Sequence, residues 1–224
     1  MTRGILIVGD QSPLFNAIAA EAALRTESYT TAMISSRFSD SYGKLPSRVE
    51  MPEKAIPLSW NPGSPISART LVFSAENRMG MIHDAILVFS PPAIFKSVEI
   101  MTPEEIEALV NDHIKGWFLL CRELALYFNR VGSGSISLAI HDYTKSRSKT
   151  LDLNLFGQTA AASFKTFTHG LFAASHNEPY HVMGFSGPKT SDTEKFAAWL
   201  FAKIDKSSKK TSGKWYRYSR LFSH

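Results

Sequence analysis

Short apolar runs recur along the chain and alternate with longer segments of mixed polarity. The runs are short enough for strands, and their continuous hydrophobicity is typical of strands buried on both faces of a sheet. Six such segments are GILIVG (4–9), YTTAMISS (29–36), the weaker EKAIPLS (53–59), DAILVFS (84–90), GSISLAI (134–140) and YHVMGFS (180–186). GKWYRYSRL (213–221), whose side chains alternate between two faces, predicts a seventh strand.

Helices are predicted where apolar residues recur three and four positions apart. Five segments have this period: SPLFNAIAAEAALR (12–25), SPISARTLVFSAENRMG (64–80), MTPEEIEALVNDHIKGWFLLCRELALYFNR (101–130), FGQTAAASFKTFTHGLF (156–172) and TEKFAAWLFAKI (193–204). We expect Ser12 to cap the first helix, with Pro13 at its first position. In the third segment Thr102, Pro103 and Glu105 match a capping box with proline after the cap.

The third helical segment is the longest and the most apolar. Its periodic residues predict one continuous face: Ile106, Leu109, Val110, Ile114, Trp117, Leu120, Cys121, Leu124 and Phe128. Its second half is also apolar elsewhere, for example at Phe118 and Leu126. We therefore expect that half of the helix to be covered on two sides.

This alternation of strands and helices predicts the fold class. Right-handed crossovers between parallel strands place helices on both faces of one sheet. The prediction is an α/β fold with a doubly wound, mostly parallel, seven-stranded Rossmann-like sheet, in a single domain spanning residues 1–224. In such sheets ligands bind beyond the carboxyl ends of the strands.

Composition and charge limit the kinds of partner that we expect the chain to bind. The net charge is +5, and much of the excess lies in DKSSKKTSGKWYRYSR (205–220). This segment is compatible with nucleic-acid binding, but we interpret it as a solvated loop before the last strand and expect no nucleic-acid partner. Neither a signal-peptide stretch nor an apolar run of membrane-spanning length is present, so we expect no membrane partner. The single cysteine, Cys121, cannot form an internal disulfide, so we expect a cytoplasmic location.

The chain resembles the short-chain dehydrogenase/reductase family in its order of strands and helices. It also resembles that family in the hydrophobic pattern of IKGWFLLCREL (114–124) and GSGSISLAI (132–140). The resemblance covers nearly the whole chain and rests on arrangement more than on motifs. It implies a Rossmann-like sheet that binds NAD or NADP, with a catalytic serine, tyrosine and lysine. It also implies pairing of two long helices between subunits, and we expect a homodimer or homotetramer through helices 102–128 and 155–174.

The cofactor motifs of that family are altered. Its first turn, T-G-x-x-x-G-x-G, is here VGDQSPLF (8–15), which keeps Gly9 but places Pro13 and Phe15 at the other two glycine positions. VFSP (88–91) replaces N-N-A-G after the fourth strand. The resemblance leaves Gly9, the helix cap Ser12 and Arg37 as candidate cofactor-binding residues. We predict no cofactor, with NAD or NADP as the expectation if the chain is an enzyme after all.

The catalytic motifs are altered as well. Gly116 of the family's N-x-x-G is kept, and His113 takes the asparagine position. The serine aligns near His141, and a shift of one or two residues gives Asp142 or Tyr143 instead.

For the tyrosine and lysine two registers are open. One aligns Gly157 and Ala161 with this pair, and the other, slightly preferred, aligns Ala161 and Lys165. Both registers lack the tyrosine that would exchange the proton.

The remaining candidate catalytic residues are Tyr143, Lys165, His113 and His141. No spacing typical of metal ligands is present, so no metal is expected. We predict a short-chain dehydrogenase/reductase-like pseudoenzyme that acts by binding or assembly. The alternative is an NAD(P)-dependent oxidoreductase with displaced catalytic residues.

Overall fold

The computed structural model describes residues 3–10, 12–26, 29–34, 55–92, 94, 96–142, 154–188 and 192–219. Its strands are β1 (Ile5–Gly9), β2 (Tyr29–Ile34), β3 (Ala55–Trp60), β4 (Asp84–Phe89), β5 (Ser135–Asp142), β6 (His181–Pro188) and β7 (Lys214–Arg217). They form one seven-stranded sheet in the order β3-β2-β1-β4-β5-β6-β7. Every neighbouring pair is parallel, which confirms the predicted sheet. The last strand is shorter than its alternating pattern suggested.

The described residues contain six α-helices, five of which pack against the two faces of this sheet. They are α1 (Pro13–Arg25), α2 (Pro65–Met79), α3 (Pro103–Val110), α4 (Gly116–Val131), α5 (Leu155–Ala174) and α6 (Thr193–Ile204). Helices α2, α4 and α5 pack in one apolar cluster on one face, and α1 and α6 pack in a second cluster on the other. The prediction of a doubly wound α/β fold is therefore confirmed. None of the helices in the described part of the chain has both the length and the hydropathy needed to cross a membrane.

The predicted helix starts are confirmed in detail. Ser12 Oγ accepts a hydrogen bond from the Phe15 amide at 3.2 Å. At the start of α3 the Glu105 amide donates to Thr102 Oγ1 at 3.3 Å, and the Thr102 amide donates to Glu105 Oε2 at 3.0 Å. This reciprocal pair is a capping box.

The longest predicted helix contains a π-helical turn, Asn111–Lys115, between α3 and α4. A π-helical turn adds one residue to the α-helical repeat and rotates the positions that precede it. The prediction of one continuous apolar face was therefore wrong for α3. Leu109 is buried, whereas Ile106 and Val110 are 39% and 38% exposed. The residues after the turn keep the predicted face, which Trp117 begins.

A cluster of aromatic rings fills the α4–α5 face near the carboxyl ends of β3 and β4. The rings of Phe89 and Phe164 are stacked with centroids 4.6 Å apart. Trp117 contacts Phe89 and Phe164 edge-on, with centroids 5.9 and 5.5 Å away, and contacts Trp60 at 5.2 Å. All four side chains are buried, so this end of the sheet is closed by ring packing.

Polar contacts tie the amino ends of the strands together. The Arg3 guanidinium donates from Nε to Asp84 Oδ2 at 2.6 Å, and Ser135 Oγ donates to Asp84 Oδ1 at 2.6 Å. Arg3 also pairs with Asp205, which follows α6. We call Arg3, Asp84, Ser135 and Asp205 the amino-edge network. It joins β4, β5 and the end of α6 at the edge opposite to the one where Rossmann-like folds bind ligands.

Candidate functional site

The turn between β1 and α1 is the place where a Rossmann-like fold receives a pyrophosphate. A Cβ atom added at Gly9 would lie 2.4 Å from the Val88 carbonyl oxygen and 3.1 Å from Cδ2 of Phe15. Gly9 therefore allows close packing of β1 against β4 and against the Phe15 ring. The Phe15 side chain is fully buried. The position of the family's last glycine is thus filled by a ring inside the core.

Two positions at the start of α1 offer no free N–H group to an anion. Ser12 caps α1, and its Oγ is the acceptor for the Phe15 amide. Pro13, at the first helical position, has no N–H group. The candidates Gly9 and Ser12 thus have structural roles in strand packing and helix capping, and the residues present do not fit a dinucleotide pyrophosphate.

A carboxylate in the same turn, Asp10, was missed in the sequence. Burial, together with the nearby charge of Asp112, raises the pKa of Asp10 to about 7. Asp10 follows Gly9 directly, and Asp112 belongs to the π-helical turn. The sequence signal was a charged residue inside the first-turn motif, but part of its pKa shift comes from Asp112, about a hundred positions away.

Acidic side chains also line the cleft beside this turn, between the β3–α2 loop and α3. The cleft has a volume of about 370 Å³. Its lining residues are Asn61, Gly63, Ser64, Glu104, Glu107, Ala108, Asn111 and Asp112. Three of these carry carboxylates and none carries a basic group. Within the described ranges, no three His, Cys, Asp or Glu side chains are placed to share a metal ion.

His113 lies in the π-helical turn and faces the aromatic cluster. Its ring meets Phe89 edge-on, with centroids 6.3 Å apart. The Nδ1 atom is buried and has no hydrogen-bond partner among the described residues. Burial lowers the pKa of His113 to about 4, so the imidazole is neutral at pH 7. The turn lies close to the β3–α2 loop, because a Cβ at Gly116 would meet Pro62 Cβ at 2.3 Å.

His141 lies on the opposite face of the sheet. Its ring packs against Phe196 of α6, with centroids 5.7 Å apart. His113 instead contacts Phe89, which belongs to the α4–α5 face. The two histidines therefore do not form a common site.

Lys165 lies in a third place. Helix α5 buries Gly157, Ala160, Ala161, Phe164 and Thr168. Lys165 lines a cleft of about 350 Å³ at the edge of the sheet, with His169, Ser186, Trp215 and Arg217. We call these five residues the β7-edge cleft. The register with Gly157 and Ala161 keeps both aligned positions on the inward face of α5, whereas the preferred register uses Lys165, which lies outside it.

Tyr143 and Arg37, the remaining candidates, lie outside the described residues. The other candidate residues lie in four separate places. Gly9 and Ser12 lie in the β1–α1 turn, His113 at the aromatic cluster, His141 on the α6 face and Lys165 in the β7-edge cleft. Ala161, the tyrosine position of the preferred register, is 8% exposed and has no group that transfers a proton.

Comparison with known proteins gives a likeness in fold. No protein-family model matches the chain, and a search of curated proteins finds no match. The acetoin dehydrogenase YohF from Salmonella typhimurium matches with a TM-score of 0.72 at 13% identity, over 97% of this chain and 94% of that one. A short-chain type dehydrogenase/reductase from Mycobacterium marinum matches with a TM-score of 0.72 at 14% identity, over 99% and 95%.

A third solved structure includes a cofactor. A short chain dehydrogenase from Burkholderia cenocepacia J2315, in complex with NADP, matches with a TM-score of 0.70 at 13% identity, over 97% of this chain and 96% of that chain. The chain therefore has the fold of the short-chain dehydrogenases/reductases. At such low identities the likeness concerns the fold and leaves the chemistry to the residues described above.

Proposed function

We propose that the chain is a divergent member of the short-chain dehydrogenase/reductase family that does not transfer hydride and acts by binding or assembly. The observation that carries this proposal is the β1–α1 turn. There Asp10 brings a half-buried carboxyl group to the place where the fold receives two phosphates, and the Phe15 ring fills the space beside Gly9. A carboxylate near pyrophosphate is repulsive, and burial strengthens the repulsion.

The catalytic side supports the same proposal. An enzyme that reduces a carbonyl needs a proton donor beside the carbonyl oxygen while hydride adds to the carbon. Gly157 and Ala161 offer no such group in either register. His113 is held neutral and packs on a phenyl ring, and His141 lies on the far face. We infer that the protein lacks a general acid at the position that the chemistry requires.

Calorimetric titration of NAD⁺, NADH, NADP⁺ and NADPH tests the cofactor part. We expect dissociation constants of about 1 mM or weaker, which correspond to about 4 kcal/mol. Asp10→Asn should not restore tight binding, because Phe15 and Pro13 remain. Micromolar binding of any dinucleotide to the wild type would overturn the proposal.

An NAD(P)-dependent oxidoreductase with displaced catalytic residues is the second candidate function. The observation in its favour is the buried Nδ1 atom of His113, which lacks a partner among the described residues and lies in a π-helical turn, a feature that is frequent at functional sites. A panel of alcohols and carbonyls with both reduced and oxidised cofactors should give only background rates. Turnover that is lost in His113→Asn, Tyr143→Phe or Lys165→Ala would make the enzyme the leading hypothesis.

The second part of the proposal is assembly into a homodimer or homotetramer. The subunits contact each other through helices 102–128 and 155–174. Phe118 of α4 is 50% exposed, and its ring lies 4.0 Å from that of Phe167 on α5. Leu126, two turns later on α4, is 53% exposed. Apolar groups exposed along neighbouring helices are typical of a contact between subunits.

Light scattering at micromolar concentration tests the assembly. We expect a dimer or tetramer for the wild type and a shift to monomer for Phe118→Glu. Leu24→Glu is the matched control, because Leu24 is also exposed but lies on α1, on the other face of the sheet. A monomeric wild type, or equal dissociation by both variants, contradicts the interface.

We also propose a cytoplasmic location. Cys121 is buried, and burial raises the pKa of its thiol, so the residue stays reduced and unreactive. Fractionation of cells that express the full chain should recover it with cytoplasmic markers. Recovery in a secreted or membrane fraction would contradict this location.

A further inference from the structure

An open groove with a volume of about 760 Å³ runs between α2 and α4. Ile66, Phe73 and Leu126 line it, and all three side chains are exposed, Ile66 by 78%. The lining also includes Arg69, Arg122 and Arg130, and we call these six residues the α2–α4 groove. Large apolar side chains that are exposed together on one surface are typical of a contact with a partner.

Helical periodicity brings these side chains together. Ile66, Arg69 and Phe73 are three and four positions apart, so they lie on one side of α2. Leu126 and the two arginines of α4 are four positions apart and lie on one side of that helix. Each helix therefore supplies apolar side chains to the groove with basic groups beside them.

Positive charge is in excess in the α2–α4 groove. Arg122 pairs with Glu123, and Arg130 pairs with Glu76, and both glutamates also line the groove. Arg69 is exposed and takes part in none of the ion pairs between described residues. The groove thus presents one uncompensated guanidinium beside its apolar side chains.

Helix α3 presents the opposite combination. Ile106 and Val110, which the π-helical turn rotates away from the buried face, are exposed and four positions apart on one side of α3. Glu107 lies next to them, is exposed, and forms no ion pair with any residue that the structure describes. Helix α3 is thus a short amphipathic helix with an exposed apolar stripe and an uncompensated carboxylate.

These two surfaces are neighbours on one subunit. Glu104 and Glu107 line the acidic cleft together with Ser64, and the next residue, Pro65, lines the groove. A negative surface therefore lies beside a positive one. A twofold axis between two copies can bring such surfaces opposite each other twice, because an isologous contact uses the same residues of both subunits.

From this arrangement we propose that α3 of one copy docks into the α2–α4 groove of a second copy, and that the second copy docks its own α3 in return. Ile106 and Val110 pack on the apolar side chains of the groove, and Glu107 faces Arg69. An amphipathic helix that lays its apolar side into a hydrophobic groove is a recurring mode of recognition. Opposite charges on the two surfaces fix the partner and the register.

This contact rests on the assembly part of the proposed function and extends it to α2 and α3. Leu126 belongs both to the groove and to the exposed α4–α5 surface, so the two surfaces are continuous. Reciprocal docking uses the groove and α3 of each copy. Both therefore contribute to the roughly 800 Å² per partner that a stable interface buries.

Charge reversal tests the pairing of Glu107 with Arg69. Light scattering of the full chain over a concentration series measures the dissociation constant of the assembly. Arg69→Glu and Glu107→Arg should each weaken association by about tenfold or more, because each places like charges opposite each other. The double variant Arg69→Glu/Glu107→Arg should return the dissociation constant to within about threefold of the wild-type value.

The matched control is Arg78→Glu, which reverses an exposed arginine at the end of α2 outside the groove. It should leave the dissociation constant within about twofold of the wild type. An equal loss in Arg69→Glu and Arg78→Glu would mean that only net charge matters, and it would overturn the docking.

A mixed crosslink shows that the two sides come from different copies. Ile106→Cys is made in a chain with a size tag, and Ile66→Cys or Phe73→Cys in an untagged chain; the native Cys121 is buried. After mixing and mild oxidation we expect a disulfide-linked pair of tagged and untagged chains. Leu24→Cys, which is exposed on α1, replaces the groove variant as a control and should give only background crosslinking.

The outcomes separate this contact from the proposed function. Dissociation by Phe118→Glu with no effect of Arg69→Glu overturns the docking of α3 and leaves the α4–α5 contact. Dissociation by Arg69→Glu with rescue in the double variant, and no effect of Phe118→Glu, supports the docking and contradicts the α4–α5 contact.

Three further results overturn the docking. The first is a failure of the double variant to restore association, and the second is a wild type that stays monomeric and gives no mixed crosslink. The third is recovery of the chain only in a complex with a different protein, which would assign the groove to that partner.

Discussion

The two ends of the carboxyl edge of the sheet differ in charge and in packing. At the β1–β4 end, Asp10 and the acidic cleft face a core closed by Phe15 and the aromatic cluster. At the β6–β7 end, the described residues that line the β7-edge cleft include Lys165 and Arg217 and no acidic side chain. The fold places both ends on the same edge, where Rossmann-like proteins bind ligands. Charge and packing can therefore differ along one edge of a sheet, because each end is lined by side chains from different helices and strands.

Loss of a buried ring at the β1–β4 end of the sheet should have the largest effect on the free energy of unfolding. Phe15→Ala removes a fully buried ring and should lower the free energy of unfolding by about 3–5 kcal/mol. Phe73→Ala, at a residue that is 61% exposed, should change it by less than about 1 kcal/mol. Urea denaturation measures both. Equal losses would mean that Phe15 does not close the turn.

The carboxyl group of Asp10 gives the second effect, which depends on pH. The folded-state pKa of about 7 lies above the usual 3.8, so the folded state favours the protonated acid. The wild type should lose free energy of unfolding as the pH rises from about 4 to about 7, by at most about 4 kcal/mol, less where solvent reaches the carboxylate.

Asp10→Asn should remove this loss. The stability difference between variant and wild type should therefore grow over that pH range and become constant above it. Denaturation curves at a series of pH values measure the difference. A difference that is the same at pH 4.5 and pH 8 would contradict the burial of Asp10 near Asp112.

His113 gives an effect of opposite sign at acid pH. Its pKa is lowered from 6.5 to about 4, so the folded state favours the neutral imidazole. The wild type should lose up to about 3 kcal/mol as the pH falls from about 6.5 to about 4. His113→Asn should flatten that part of the stability profile. Titration of the His113 ring by nuclear magnetic resonance is the direct check, and a midpoint near 6.5 would refute the burial argument.

A substitution at the β6–β7 end of the sheet should change the free energy of unfolding least. Arg217→Gln should change the free energy of unfolding by no more than about 0.5 kcal/mol, since the side chain is exposed. Urea denaturation measures the change. A large destabilisation would mean that the Arg217 side chain supports the fold.

The sequence predicted the fold because the fold depends on local patterns. Continuous apolar runs mark buried strands, and Ser12 and Thr102 mark helix starts, wherever the rest of the chain lies. The π-helical turn was not predicted from the sequence because one extra backbone residue leaves the local spacing of apolar residues almost unchanged. Only the exposure of Ile106 and Val110 reveals the rotation.

The candidate sites were harder to predict because they depend on distant contacts. The pKa of Asp10 depends on burial and on Asp112, and Ser186 Oγ in the β7-edge cleft accepts a hydrogen bond from an indole 29 positions later. Lys165 stays a candidate residue, and the rotation of α5 decides which neighbours it has. Motif spacing does not contain this information.

The amino-edge network has a consequence for the order in which the molecule can fold during synthesis. Strand β1 pairs with β4, so its central position in the sheet is completed only after about eighty more residues have been made. Arg3 meets Asp205 near the end of the chain, at a separation of 202 positions. Contacts of such long range make folding slow, because much chain entropy is lost before they form. A ribosome-bound chain lacking α6 should therefore expose apolar strands and depend on chaperones until its last elements emerge.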